Sequence, residues 1–478
     1  MPDSSQFYIN GAWVEPSAGA TRLDVINPST EEPCAVIALG AQEDTDRAVA
    51  AARAAFEGWA LTDPAERFAA LERLLEAYKA RRDDMVEAIS QEMGAPVDLA
   101  RQQQVSSGDF HLEALIAQAR DFDWHKPLGP QAESTMLLYQ PVGVCALITP
   151  WNWPMNQVTL KVAPALLAGC TMVLKPSEIA PLSSLVFSEM VDAADIPPGV
   201  FNMVNGDGAG VGSQLSAHPD VDMVSFTGST RAGRLISKSA ADTIKRVSLE
   251  LGGKGANMIF ESANEKAAKR GAIRCFNNSG QSCNAPTRML VQRDRYEDAV
   301  AMAVEAAEAT AVGPASEAGR HIGPVVSELQ YDKIQDLIQS GIDEGARLVA
   351  GGTGRPEHLN RGYFVRPTVF ADVTPDMRIY REEIFGPVLS IMPFDTEEEA
   401  IEIANDTDYG LTNYIQTEDK DQLRRVATRV RSGMVESNSV SLGAGSPFGG
   451  FKQSGNGREG GLFGLHEFLE VKAVSDWI

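Results

Sequence analysis

A run of short apolar segments between residues 144 and 260, each followed by a helical pattern, constrains this chain more than any other feature. The segments cover 144–148, 171–174, 200–204, 223–226 and 247–251. Helical periodicity fills 156–168, 181–194, 208–217 and 230–240 between them. Strands joined through helices run parallel, because each crossover returns the chain to the same end of the sheet. Near-continuous apolar runs also imply burial on both faces. The expectation is an α/β fold with a doubly wound parallel sheet. Such a sheet commonly hosts a dinucleotide, although fold alone does not give function.

The alternation resumes with different spacing from about 264 to 450. Helical stretches near 264–278, 295–310 and 326–345 and Gly-rich turns at 351–354, 443–450 and 455–461 mark it. No Pro/Ser-rich linker divides the halves, so they are expected to pack around a shared cleft. Ahead of residue 144, the chain through Pro33 reads as irregular or short-stranded. Helical patterns cover 43–60 and about 97–120. Asp63-Pro64-Ala65-Glu66 has the form of a helix start, with Phe68, Leu71, Leu74, Leu75 and Tyr78 on one face beyond it. Residues 134–148 read as two extended runs broken at 141–143.

Composition narrows the function. The chain has 478 residues and a formal net charge of −23, from 65 acidic and 42 basic residues. That balance argues against a nucleic-acid backbone or an anionic membrane as partner. No basic leader precedes an apolar run, and no apolar stretch reaches about 18 residues. Five scattered cysteines form neither a disulfide framework nor a C-x-x-C metal or redox spacing. The expectation is a soluble, cytoplasmic protein without a metal.

Three residues can carry chemistry. Cys283, in NNSGQSCNAPTR, has small polar neighbours and reads either as an exposed nucleophile or as a buried small hydrophobe. Cys275, in AIRCF, reads as core. Glu250 sits between Leu249 and Leu251 at a strand end. It is either a general base with a raised pKa or a carboxylate bonded to loop amides. Asn152, between two tryptophans in TPWNWPMN, is either an oxyanion donor or a turn residue before Pro154. Two further segments suit phosphate and ribose, or are ordinary polar turns. Phe226-Thr227-Gly228-Ser229-Thr230 joins a strand to a helix containing Gly233, and Lys175-Pro176-Ser177-Glu178 follows a strand directly. The glycines from Gly206 to Gly212 do not fit G-x-G-x-x-G.

Together, TPWNWP, KPSE, FTGST, ELGGK, GQSC, EEIFGPV and PFGGFKQSGNGRE resemble the aldehyde dehydrogenase superfamily, in family order and over nearly the whole chain. The 33-residue separation of Glu250 and Cys283 suits that family as well. The resemblance implies two doubly wound parallel-sheet domains with a small β oligomerisation element. The cofactor-binding domain would comprise 1–118 and 142–251, and the catalytic domain 252–451. The oligomerisation element and C-terminal segment would comprise 119–141 and 452–478, joining a homodimer or homotetramer.

The implied reaction is NAD-dependent oxidation of an aldehyde to the acid. Cys283 would attack, and Asn152 with the Cys283 backbone N–H would hold the oxyanion. Glu250 would activate water against the thioester, with Lys161 and Glu459 in proton relay or support. Cofactor positions implied are Thr149, Pro150, Trp151, Lys175, Ser177, Glu178, Gly208, Gly212, Phe226, Gly228, Ser229, Leu251, Gly252, Glu383 and Phe385. The Glu178 carboxylate favours NAD over NADP. Substrate positions implied are Trp153, Asn156, Gln157, Leu160, Ser282, Asn284 and Leu442. Polar Asn156 and Gln157 hint at a polar aldehyde, and apart from Arg288 no nearby cation suggests a carboxylate tail. Three alternatives compete: an acylating, coenzyme A-dependent enzyme, a catalytically silent scaffold, and a cysteine hydrolase. The first is disfavoured by Glu250, the second by the three retained groups, and the third by the absence of histidine from the motif segments.

Overall fold

The computed structural model describes residues 4–477. Residues 1–3 and 478 of the expected division lie outside the described residues. Two seven-stranded sheets dominate. The first runs, in spatial order, Arg246–Glu250, Met223–Thr227, Val144–Ile148, Thr171–Lys175, Phe201–Met203, Phe7–Ile9 and Ala12–Val14. Its first five strands are parallel. The last two form an antiparallel hairpin on the far edge.

Side chains alternate across this sheet, as the strand period requires. Val144, Ala146 and Ile148 pack with Ala48, Val49 and Ala52 of the helix Gln42–Ala60. Cys145 and Leu147 face the opposite core, with Met155, Val158 and Val162 of the helix Pro154–Ala168. The sheet is thus covered on both faces, which explains why its strands lack polar alternation. Pro164 notwithstanding, the helix Pro154–Ala168 runs unbroken from a proline at its first turn to Gly169, whose φ of 92° ends it.

The second sheet runs Arg347–Ala350, Thr368–Ala371, Val388–Phe394, Arg288–Gln292, Ala256–Ile259, Thr412–Gln416 and Met434–Ser437. Only the edge strand Arg347–Ala350 is antiparallel. A small antiparallel sheet pairs Leu469–Val474 with Met136–Pro141, which in turn pairs with His125–Pro127. Val471 and Trp477 are exposed there.

Some elements differ from expectation. The helix Arg82–Glu92 and the hairpin of Thr21–Asn27 with Glu32–Leu39 were not legible as such. The stretch near 97–120 is interrupted by a widened π-type turn at Ala100–Val105, before the helix Ser106–Ala119. Asp63 does cap the helix Pro64–Ala80, through the Ala65 amide at 2.8 Å.

The fold places one edge to particular effect. Ile148, Lys175, Met203, Thr227 and Glu250 all end parallel strands at the same side of the first sheet. From Glu250 the chain needs only residues 251–255 to enter the second sheet at Ala256–Ile259.

Candidate active site

Glu250 ends an edge strand and is 2% exposed. Neither of its carboxylate oxygens has a hydrogen-bond partner. Burial pushes its pKa well up, the charge of Glu459 adds to that, and Lys161 and Arg458 oppose it. Of the two readings left open by the sequence, a carboxylate bonded to loop amides is therefore excluded. Lys161 and Glu459 form a buried ion pair.

Cys283 lies between a tight turn at Asn277–Gly280 and the strand Arg288–Gln292. The turn holds Asn278 and Ser279 at φ of 53° and 57° and Gly280 at 72°. A Cβ on Gly280 would stand 2.0 Å from the Gly386 carbonyl oxygen, so only glycine fits this approach. Gly253 has the same role against the thiol loop, since a Cβ there would stand 2.6 Å from the Cys283 carbonyl oxygen. Cys283 is partly exposed. Surrounding protein and the charges of Glu383 and Glu250 push its thiol pKa up, so the resting group is neutral. Cys275 is core, with its thiol on the Val388 carbonyl.

Asn152 is stitched to the thiol loop. Its Nδ2 donates to the Gln281 carbonyl at 3.1 Å. Its own carbonyl accepts from Gln104 Nε2 and Asn278 Nδ2, each at 3.0 Å. Amides rather than the flanking indoles thus fix Asn152. Trp153 Nε1 donates to Ser282 Oγ at 2.8 Å, and Trp151 stands edge-on to Phe385 at 5.5 Å.

A cavity of about 200 Å³ brings Cys283, Glu250 and Asn152 together. It is also walled by the expected cofactor positions Pro150, Trp151, Gly228, Ser229, Leu251, Gly252, Glu383 and Phe385. Glu383 Oε1 accepts from the Gly253 amide at 2.8 Å, and burial raises its pKa. Ser229 caps the helix Thr230–Ala240 through the Ala232 amide. Gly228 lies over the Phe226 ring, where a Cβ would come within 2.4 Å.

The remaining cofactor positions lie along the same sheet edge. Lys175 Nζ donates to the Gly206 carbonyl at 2.5 Å and reaches Glu178 Oε2 at 3.3 Å. The Thr149 amide bonds the Lys175 carbonyl, while its buried hydroxyl has no partner. Ser177 is buried, Gly212 stands beside the Lys175 side chain, and Gly208 faces open space. None of the expected substrate positions lines the cavity itself. Trp153, Asn156, Gln157 and Leu160 share the first turns of one helix, and the Asn284 carbonyl accepts from Tyr414. Leu442 is exposed on the loop following Ser437. Arg288 is fully buried and gives its donors to the carbonyls of Lys254, Ile403 and Ala404, so it offers nothing to a substrate carboxylate.

Sequence reasoning missed several contributors. Gln104, in the widened turn, and Gln281 and Asn278, in the thiol loop, hold Asn152 in place. Gln281, inside GQSC, carried a usable signal, whereas Gln104 carried none. Gln330 Nε2 holds the Ile384 and Phe385 carbonyls at 3.2 and 2.9 Å, and it lines the cavity with Thr227 and Lys333.

Comparison with known proteins converges on one family. The model of the aldehyde dehydrogenase family matches residues 13–474. A Pseudomonas protein named 3-succinoylsemialdehyde-pyridine dehydrogenase is 51% identical over 476 residues, covering 99% of each chain. The crystal structure of an aldehyde dehydrogenase from Bartonella henselae has a TM-score of 0.98 and 60% identity, covering 99% of this chain and 100% of that one. A mutant aldehyde dehydrogenase C from Pseudomonas syringae, solved with NAD+ and octanal, has a TM-score of 0.98 and 46% identity, covering 100% and 98%.

Proposed function

Because this chain belongs to the aldehyde dehydrogenase family, we propose that it oxidises an aldehyde to its carboxylic acid with NAD, through a covalent Cys283 intermediate. The observation that carries this reading is the single cavity shared by a thiol, a carboxylate without partners and a side-chain amide, at the carboxyl edge of a parallel sheet. The residues at that edge suit a dinucleotide. Small residues at Gly228 and Gly252 leave room for close approach, and the Thr149 and Thr227 hydroxyls are buried without partners. Glu178 is about a third exposed at the strand end, where its carboxylate can accept from a ribose diol and repels a 2′-phosphate. Glu383 would take the second ribose, with Phe385 and Trp151 as packing surfaces. Bound NAD supplies the hydride acceptor.

The resting Cys283 thiol gives its proton to a base before the sulfur adds to the aldehyde carbon. Glu250, in the same cavity, is that base. As the carbonyl oxygen gains charge, Asn152 Nδ2 and the Cys283 amide stabilise it. Loss of hydride leaves an acyl thioester on Cys283. Glu250 passes its first proton to solvent, then takes one from water as the water attacks, and returns it to the thiolate as the acid leaves. The buried Lys161–Glu459 pair tunes Glu250 electrostatically. The acylating alternative finds no support, because a partnerless carboxylate beside the thiol serves water rather than coenzyme A.

The same reading assigns 1–118 and 142–251 to cofactor binding, 252–451 to catalysis, and 119–141 with 452–478 to the oligomerisation element and C-terminal segment. The small sheet, with exposed Val471 and Trp477, supports the last assignment as a surface for a second copy in a dimer or tetramer. A cytoplasmic setting suits five cysteines that are all free thiols. No helix among the described residues is long and apolar enough to cross a membrane.

The test is NADH formation by the purified protein against short, long, aromatic and hydroxylated aldehydes, with Cys283→Ala as control. Wild type should produce NADH and Cys283→Ala none, while NAD binding followed by fluorescence persists in both. Turnover by Cys283→Ala would overturn the assignment.

A further inference from the structure

The residue after Cys283 is held by the second sheet. The Asn284 carbonyl accepts from the Tyr414 hydroxyl. Tyr414 sits on the strand Thr412–Gln416, between Ala256–Ile259 and Met434–Ser437. It is 3% exposed, so its hydroxyl depends on this partner rather than on water. Burial raises the Tyr414 pKa, which keeps the proton on the hydroxyl and the hydroxyl a donor.

The Tyr414 ring is gripped in turn. The Arg274 guanidinium stands 4.7 Å from the ring centre, and its Nη2 bonds Glu436 Oε1 at 2.8 Å. Glu436 is the register partner of Tyr414 on the neighbouring strand. It is buried, and its Oε2 has no partner, so its charge relies on Arg274. Arg274 belongs to the helix Ala267–Phe276, which runs directly into the turn Asn277–Gly280 ahead of Cys283. Helix, turn and strand thus close a loop of contacts around the thiol segment. A cation over the ring and a hydroxyl tied at its end leave Tyr414 one orientation.

On the reactive side, burial raises the Cys283 thiol pKa, and the charges of Glu383, Glu250 and Glu459 add to it. The Asn284 amide, bonded to the sulfur, pulls the other way. Resting on the aldehyde-oxidising reading, the geometry points to Tyr414 as a positioning residue for the nucleophile. Its hydroxyl holds the Asn284 carbonyl, so that the Asn284 amide stays turned to the Cys283 sulfur as the proton leaves. Arg274, fixed by Glu436, keeps the Tyr414 ring in place. The carboxylates that face the sulfur are untouched by changes in this unit.

The test follows alkylation of Cys283 by iodoacetamide and by N-ethylmaleimide, read on its peptide by mass spectrometry, because both reagents consume the thiolate. Tyr414→Phe keeps the ring and loses the donor. At fixed neutral pH its alkylation should slow by about three- to tenfold with both reagents alike, the factor set by a rise of about half to one unit in thiol pKa. Single-turnover NADH formation should slow by a similar factor, while NAD affinity stays within about twofold. Arg274→Met should give a smaller loss of the same kind, and Arg274→Lys, which keeps a cation between Tyr414 and Glu436, should restore most of it. Unchanged alkylation in Tyr414→Phe overturns the assignment. So do unequal losses with the two reagents, which mean blocked access, and an equal loss of NAD affinity, which means a loosened site. Wild type that is alkylated at Cys283 but forms no NADH from any aldehyde instead overturns the oxidising reading.

Discussion

Glu92 and Glu250 are both carboxylates removed from water, at 0% and 2% exposure, yet the chain treats them in opposite ways. Glu92 receives the Leu182 and Ser183 amides at the start of the helix Leu182–Ala193. Those donors, and the positive end of the helix, work against burial. Its pKa still rises, to about 7. Glu250 receives nothing on either oxygen and faces the further charge of Glu459. Burial alone therefore does not mark a functional carboxylate. The mark is burial that the surrounding backbone leaves unanswered, next to a cavity.

The largest expected effect sharpens that contrast. Glu250→Gln should lower kcat by about 10²–10⁴-fold, the usual scale for a lost general base. Because Glu250 also relieves the thiol of its proton, the NADH burst should slow as well, but by less than deacylation. Glu92→Gln should leave kcat within about twofold. Stopped-flow and steady-state traces on the two variants measure this, and similar losses in both would dissolve the distinction.

A smaller effect concerns pH. Glu250 acts as a base when deprotonated, so its raised pKa makes kcat climb with pH above the ordinary carboxylate range. Lys161→Met removes a cation that lowers that pKa. The rising limb should then move to higher pH, by about one unit. A pH profile of kcat shows the displacement, and an unmoved limb would detach the Lys161–Glu459 pair from the base.

The smallest effect is on stability. The folded pKa of Glu92, about 7, lies above the 4.5 of an ordinary glutamate. The folded state thus binds the proton more tightly. Its contribution is fully present below about pH 4.5 and is lost as pH rises through about 7. In Glu92→Gln, the fall in Tm across that window should flatten. Thermal melts at several pH values decide it.

The sequence made the first sheet legible because five buried parallel strands repeat one pattern, and their observed bounds lie within a residue or two of those expected. The edge hairpin Phe7–Ile9 and Ala12–Val14 was legible only as irregular or short-stranded chain, since strands of three residues are too short to show a period. The three candidates that the cavity brings together, Cys283, Glu250 and Asn152, were legible because their surroundings break local rules: a carboxylate among leucines, a thiol among small polar residues. Gln104 and Gln330 were not legible. Each meets its partners across long sequence separations, 48 residues to Asn152 in one case and 55 to Phe385 in the other. No local pattern encodes such a meeting. Tyr414 was hidden for the same reason, because its partner Asn284 lies 130 residues away.

Glu250 closes the edge strand of one sheet, whereas Cys283 hangs from the loop that enters the other. The proposed reactive pair is therefore split between two bodies, like the contacts of a switch mounted on a door and its frame. Each sheet can remain fully formed while a slight parting separates the contacts. Under gentle warming or dilute urea, catalysis should fade before circular dichroism registers any loss of helix or strand.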